Sequence, residues 1–126
     1  MKYKNILLID DDEDDCEIFL TAISSVSNDG NYTVRNDARE ALADLDNGKI
    51  KPDLIFLDLN MPVMNGTQFL VELKKKEPLK EIPVIIFSTS SHPDIIRQSM
   101  AVGAYDFITK PSDFNQIIRI FESIII

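Results

Sequence analysis

Five residues set the chemical problem. Asp10 and Asp11 follow the aliphatic run at residues 6–9, Asp58 closes "DLIFLD", Ser88 closes "VIIFS" and Lys110 closes "AYDFITK". Three carboxylates brought within a few ångströms cannot all stay ionised without a counter-charge. A hard divalent cation with oxygen ligands supplies one, and Mg²⁺ suits a small open site that keeps several of its waters. A lysine adds a mobile positive charge. Together these groups suit a phosphoryl group, whose transfer depends on positioning and electrostatic stabilisation. A carboxylate can also be the nucleophile itself, forming an aspartyl-phosphate.

The same residues have plainer readings. Asp12, Glu13, Asp14 and Asp15 precede or open a helical pattern, where acids cap the N-terminus and complement its dipole, and that is the role expected of them. Asp10-x-Asp12-x-Asp14 superficially matches a calcium loop of the EF-hand type. That loop needs Gly at its sixth position and Glu at its twelfth, and here those are Asp15 and Thr21. Asp58 after a strand could open a phosphatase of the haloacid-dehalogenase type, but the general acid expected two residues on is replaced by Asn60. Alone, Lys110 would be a solvated lysine and Ser88 a strand-end hydroxyl bonded to backbone. Gly30, Gly48, Gly66 and Gly103 are scattered, so no glycine-rich phosphate loop exists.

The elements that must carry these residues alternate. Short apolar runs (residues 6–9, "YTVRN", "DLIFLD", "VIIFS", "AYDFITK") are separated by helical spacings through Phe19 and Ile23, Ala41 and Leu45, Phe69 and Leu73, Ile95 and Met100, and Ile117 and Phe121. Pro93 suits the first turn of the fourth helix, Asn65-Gly66 reads as a turn, and Ser112 is the expected N-cap of the fifth helix. Five apolar strands alternating with five helices predict a doubly wound parallel sheet, an α/β fold covered on both faces. In such a sheet the ligand site lies beyond the carboxyl ends of the strands. All five chemical residues fall there.

Composition narrows the rest. The chain has 126 residues, the size of one domain, and a net charge of −8. That charge disfavours nucleic acid and anionic membrane as partners. A single cysteine, Cys16, excludes an internal disulfide, fits a reducing compartment and reads as packing or surface. "MKYKNILLIDD" is too short in apolar residues for a signal peptide or membrane span, so a cytoplasmic location is expected.

The pieces "ILLIDDD", "PDLIFLDLNMPVMNG", "IPVIIFSTS" and "GAYDFITKP", in this order and spacing, resemble the receiver domain of two-component response regulators, of the chemotaxis-regulator type. The resemblance spans essentially the whole chain and implies a flavodoxin-like (βα)5 fold with strand order 2-1-3-4-5. It implies one stand-alone receiver domain over 1–126 without an output domain, a signalling protein rather than an enzyme. Asp58 would accept a phosphoryl group from a phosphohistidine of a sensor histidine kinase or histidine phosphotransfer protein. Asp11 would bind Mg²⁺ (or Mn²⁺) directly, Asp10 mostly through water, and the Asn60 backbone carbonyl would complete the ligands beside Asp58. Lys110 would pair with phosphoryl oxygens, Ser88 would turn to meet one of them, and Phe107 would occupy the aromatic switch position. The Lys110-Pro111 bond would be cis. Residues 93–126 would form the readout face, contacting a downstream target protein or a second copy in a weak homodimer.

The sequence also departs from the pattern. Phe107 stands in place of tyrosine, Asn65 in place of the common Asp before Gly66, and Ser112 where Phe is frequent. By the same resemblance, Asn60 and Ser90 would occupy the two positions that tune phosphoryl lifetime. Three readings stay open at this point: a module that docks on a target when phosphorylated, a phosphorelay intermediate that passes the group to another histidine protein, and a divergent metal-dependent phosphatase. The apolar tail Ile124-Ile125-Ile126 is expected to pack on its own sheet, with a dimer contact as the other option.

Overall fold

The computed structural model describes residues 3–126, so the first two residues of the leader reading lie outside it. Five strands and five helices alternate: β1 (Asn5–Ile9), α1 (Glu13–Val26), β2 (Asn31–Arg35), α2 (Ala38–Asp46), β3 (Leu54–Leu57), α3 (Gly66–Lys74), β4 (Val84–Ser88), α4 (Pro93–Val102), β5 (Asp106–Thr109) and α5 (Phe114–Ile125). A short 3₁₀ turn at Leu79–Glu81, not foreseen from the sequence, precedes β4. The strands form one parallel sheet, as the alternation predicts, in the order β2-β1-β3-β4-β5 that the resemblance implies.

The continuous apolar runs follow from burial on both faces. Leu7, Ile9, Ile55, Leu57, Val84 and Ile86 pack with α2 and α3 on one side. Ile6, Leu8, Leu54, Phe56, Ile85 and Phe87 pack with α1 and α5 on the other. On that second face Phe19, Phe56, Phe87 and Phe121 make an edge-on aromatic cluster with centroids 5.1 Å apart for Phe19–Phe121 and 5.2 Å for Phe19–Phe56. Such rings gain both area burial and quadrupole complementarity, and they lock α1 and α5 to the central strands. Ile125 is buried in the same core while Ile126 is exposed, so the tail packs on its own sheet except for its last residue.

Helix starts differ from two expectations. Asn65 is not simply part of a turn: it is the N-cap of α3 and makes a reciprocal capping box with Gln68. The α5 cap is Asp113, which accepts from the Asn115 N–H at 2.9 Å, and not Ser112. A carboxylate also complements the helix dipole, a gain a serine hydroxyl lacks. Pro93 opens α4 as expected, behind His92 as N-cap.

Gly66 couples the fold to the strand ends. Its N–H donates to the Leu59 carbonyl at 3.1 Å, and a Cβ there would lie 2.5 Å from the Asp58 carbonyl oxygen and 2.8 Å from the Leu59 Cα. Backbone cannot yield as a flexible side chain does. Gly66→Ala is therefore expected to destabilise the protein by about 1–3 kcal/mol, measured as a shift in the urea midpoint at unchanged slope.

Candidate functional site

Strand register assembles the site. Ile9 and Leu57 are paired across β1 and β3, so Asp10 and Asp58 leave the sheet side by side, with the Asp58 N–H donating to the Ile9 carbonyl at 3.0 Å. Ser88 and Thr109 are paired across β4 and β5, and the Lys110 N–H donates to the Ser88 carbonyl at 2.8 Å. One carboxylate oxygen from each of Asp10, Asp11 and Asp58 lies within 4.8 Å of the others, with Asp10 and Asp58 buried and Asp11 exposed. An all-oxygen set with one open side fits a hard divalent cation that retains water.

Lys110 spans the site from the far side. It passes over the Phe87 ring, 5.8 Å from the centroid, and its Nζ donates to Asp10 Oδ2 at 2.7 Å and to Asp15 Oδ2 at 3.0 Å. Its side chain is only 11% exposed. Burial pulls the lysine pKa down, but the bonds to Asp10 and Asp15 and the charges of Asp10 and Asp58 outweigh it and raise the value. For Asp10 the balance goes the other way. Loss of water raises its carboxyl pKa, and the Lys110 bond and the Asp12 N–H on its Oδ1 (2.9 Å) offset this only in part.

The acidic run divides, though not as the sequence suggests. Asp12 caps α1, accepting from the Asp14 and Asp15 N–H groups at 2.9 and 3.1 Å, with Glu13 and Asp14 exposed beside it. Asp15 belongs with the site because its carboxylate pairs with Lys110. No local pattern could reveal a contact 95 residues apart in sequence. Asn36, immediately after β2, was also missed: its amide donates to the Asp10 carbonyl at 2.8 Å and steadies the strand end. Cys16 lies against the same carbonyl, and burial foremost pushes its thiol up to about 11. Such a thiol stays protonated at neutral pH, which supports the packing reading.

The remaining residues border this centre. The fully buried Ser88 hydroxyl accepts from the Ser90 N–H at 3.3 Å. The Asn60 amide donates to the Ser90 hydroxyl at 3.1 Å, joining the loops after β3 and β4. Phe107 is half-buried against the core under α2, α3 and α4. The Lys110–Pro111 bond is trans, which corrects the expectation from resemblance; among the described residues the cis bond lies at Glu77–Pro78. An X-Pro bond keeps an intrinsic trans preference of about 0.5–1 kcal/mol. Here Lys110 already makes its Ser88, Asp10 and Asp15 contacts in the trans form. Among the described residues no helix is long and apolar enough to cross a membrane.

Known proteins are similar to this chain in sequence and fold. A family model described as the response regulator receiver domain matches residues 6–122. The two-component response regulator ORR1 of Oryza sativa subsp. japonica is 34% identical over 121 residues, covering 91% of this chain and 52% of that protein. The chain thus spans about half the length of that relative. Response regulator Rcp1 of Synechocystis sp. is 28% identical over 126 residues, covering 96% of this chain and 86% of that protein. The crystal structure of its Mn²⁺-bound form superposes with a TM-score of 0.85, covering 96% of this chain and 91% of that one. The phosphorylated cyanobacterial phytochrome response regulator RcpA superposes with a TM-score of 0.88 at 32% identity, covering 97% and 91% of the two chains.

The raised Asp10 pKa fixes a pH dependence. A carboxyl whose pKa rises on folding contributes its full stability below the ordinary value of 3.8 and loses it as pH climbs through the raised value. Above that range the ionised form of Asp10 opposes the fold. Asp10→Asn is expected to raise the melting temperature at pH 7 in metal-free buffer by roughly 3–6 °C. The gain should shrink towards pH 4, as thermal melts across that range would show.

Proposed function

Because this chain belongs to the response regulator receiver domain family, we propose that Asp58 is its phosphoacceptor and that the chain works as a phosphorylation-controlled signalling module. The observation that carries this reading is Asp58 itself. It is buried at a strand end beside Asp10 and Asp11, in a site that also holds the Lys110 ammonium. One Asp58 carboxylate oxygen would attack the phosphorus of a phosphohistidine on a sensor histidine kinase or phosphotransfer protein. The P–N bond breaks, its electron pair returns to the imidazole, and an acyl phosphate remains on Asp58.

Asp10, Asp11, Asp58 and the Asn60 backbone carbonyl would hold Mg²⁺ or Mn²⁺. When bound, the cation neutralises the crowded carboxylates and the incoming phosphoryl charge. Lys110 would swing to the phosphoryl oxygens. The Ser88 hydroxyl, now an acceptor for the Ser90 N–H, would turn to donate to one of them. That turn vacates space towards Phe107, and an inward ring reshapes the face of residues 93–126 for a downstream target protein. A cytoplasmic setting accords with the reduced thiol and the acidic surface.

Incubation with acetyl phosphate and Mg²⁺ should add one phosphoryl group by mass, and Asp58→Asn should abolish the addition. Persistence of the modification in that variant would place the acceptor elsewhere. In a Mg²⁺ titration, Asp11→Ala should weaken binding at least tenfold, while Asp14→Ala, outside the ligand cluster, should change it by less than about twofold.

A further inference from the structure

The position of Lys110 is set from outside the strand ends. Among the described residues its ammonium hydrogen-bonds Asp10 and Asp15, and no such bond reaches Asp58. Asp15 is fixed for this task. Its own N–H is held by the Asp12 cap, so the first turn of α1 is hydrogen-bonded beneath its carboxylate. Complementing the helix dipole needs no partner, and among the described residues the exposed Glu13 and Asp14 do so without a side-chain partner. Asp15 is the acid of that turn that turns towards Lys110.

We propose that Asp15 is a positioning residue that holds the Lys110 ammonium on the α1 side of the site, in competition with a phosphoryl group on Asp58. The inference rests on the reading of Asp58 as phosphoacceptor. Lys110 is anchored at its backbone to Ser88, and its flexible stem lets the ammonium pivot above Phe87. A divalent cation at the carboxylate cluster competes with Lys110 for Asp10. Asp15, outside that cluster, is then the anion that retains the ammonium. Removing its charge frees Lys110 without altering any of the clustered carboxylates.

The full chain with Mg²⁺ can be titrated with beryllofluoride, a phosphoryl mimic, and followed by amide NMR. Asp15→Ala should bind it roughly fivefold more tightly than Asp14→Ala, which removes the same charge from a neighbouring exposed position. A purely structural role for Asp15 would instead lower the melting temperature and weaken binding. In metal-free protein without the mimic, the Lys110 ammonium protons should exchange with water faster in Asp15→Ala. Equal or weaker mimic binding relative to Asp14→Ala, or unchanged ammonium exchange, overturns the inference. If the wild-type protein itself fails to bind beryllofluoride, the phosphoacceptor reading falls, and with it the competition.

Discussion

Two carboxylates that leave adjacent parallel strands at the same level have nowhere to separate. The pairing of Ile9 with Leu57 delivers Asp10 and Asp58 to one buried spot, and the repulsion between them must be answered inside the protein. Lys110 gives that answer here, with its ammonium on Asp10 and its stem over Phe87. Much of the surrounding structure keeps that balance in place. Asn36 and the Asp12 N–H steady Asp10, Gly66 lets the chain after β3 pass without pushing Asp58 outward, and Asp15 holds the lysine from α1.

Burial of the Asp10 carboxyl disfavours its ionised form at this edge. The aromatic cluster and two well-covered sheet faces supply the stability that the strand ends lack. Buried charge is concentrated at one edge of the sheet, where Asp10, Asp58 and Lys110 meet. The loops above it are tied to one another by the hydrogen bond from Asn60 to Ser90.

Much of this is legible in the sequence because the sheet is parallel. Each apolar run points its next residue at the same edge, so Asp10, Asp58, Ser88 and Lys110 could be placed together from order alone. What escaped was set by angle and distance rather than order. Whether Asp15 faces solvent or Lys110 depends on the phase of α1 relative to β5, which no local spacing encodes. Asn36, at the end of β2, carries no signal in the sequence because its partner is a backbone carbonyl. The α5 cap moved from Ser112 to Asp113 because adjacent good cap residues compete on charge. The trans Lys110–Pro111 bond escaped because its geometry is decided by tertiary contacts of the lysine.

The separation between Asp10 and Lys110, 100 residues in sequence, gives the site a place in time as well as in space. A chain emerging from the ribosome presents its acids long before its lysine, and domains fold as units once their long-range partners have been made. Until β5 joins β4, the acidic edge lacks its internal counter-ion and is left to solvent and free cations. The ion pair across the strand ends thus marks completion of the sheet. Its cation is the last of the site's charged groups in chain order, and it directly follows the strand that completes the sheet.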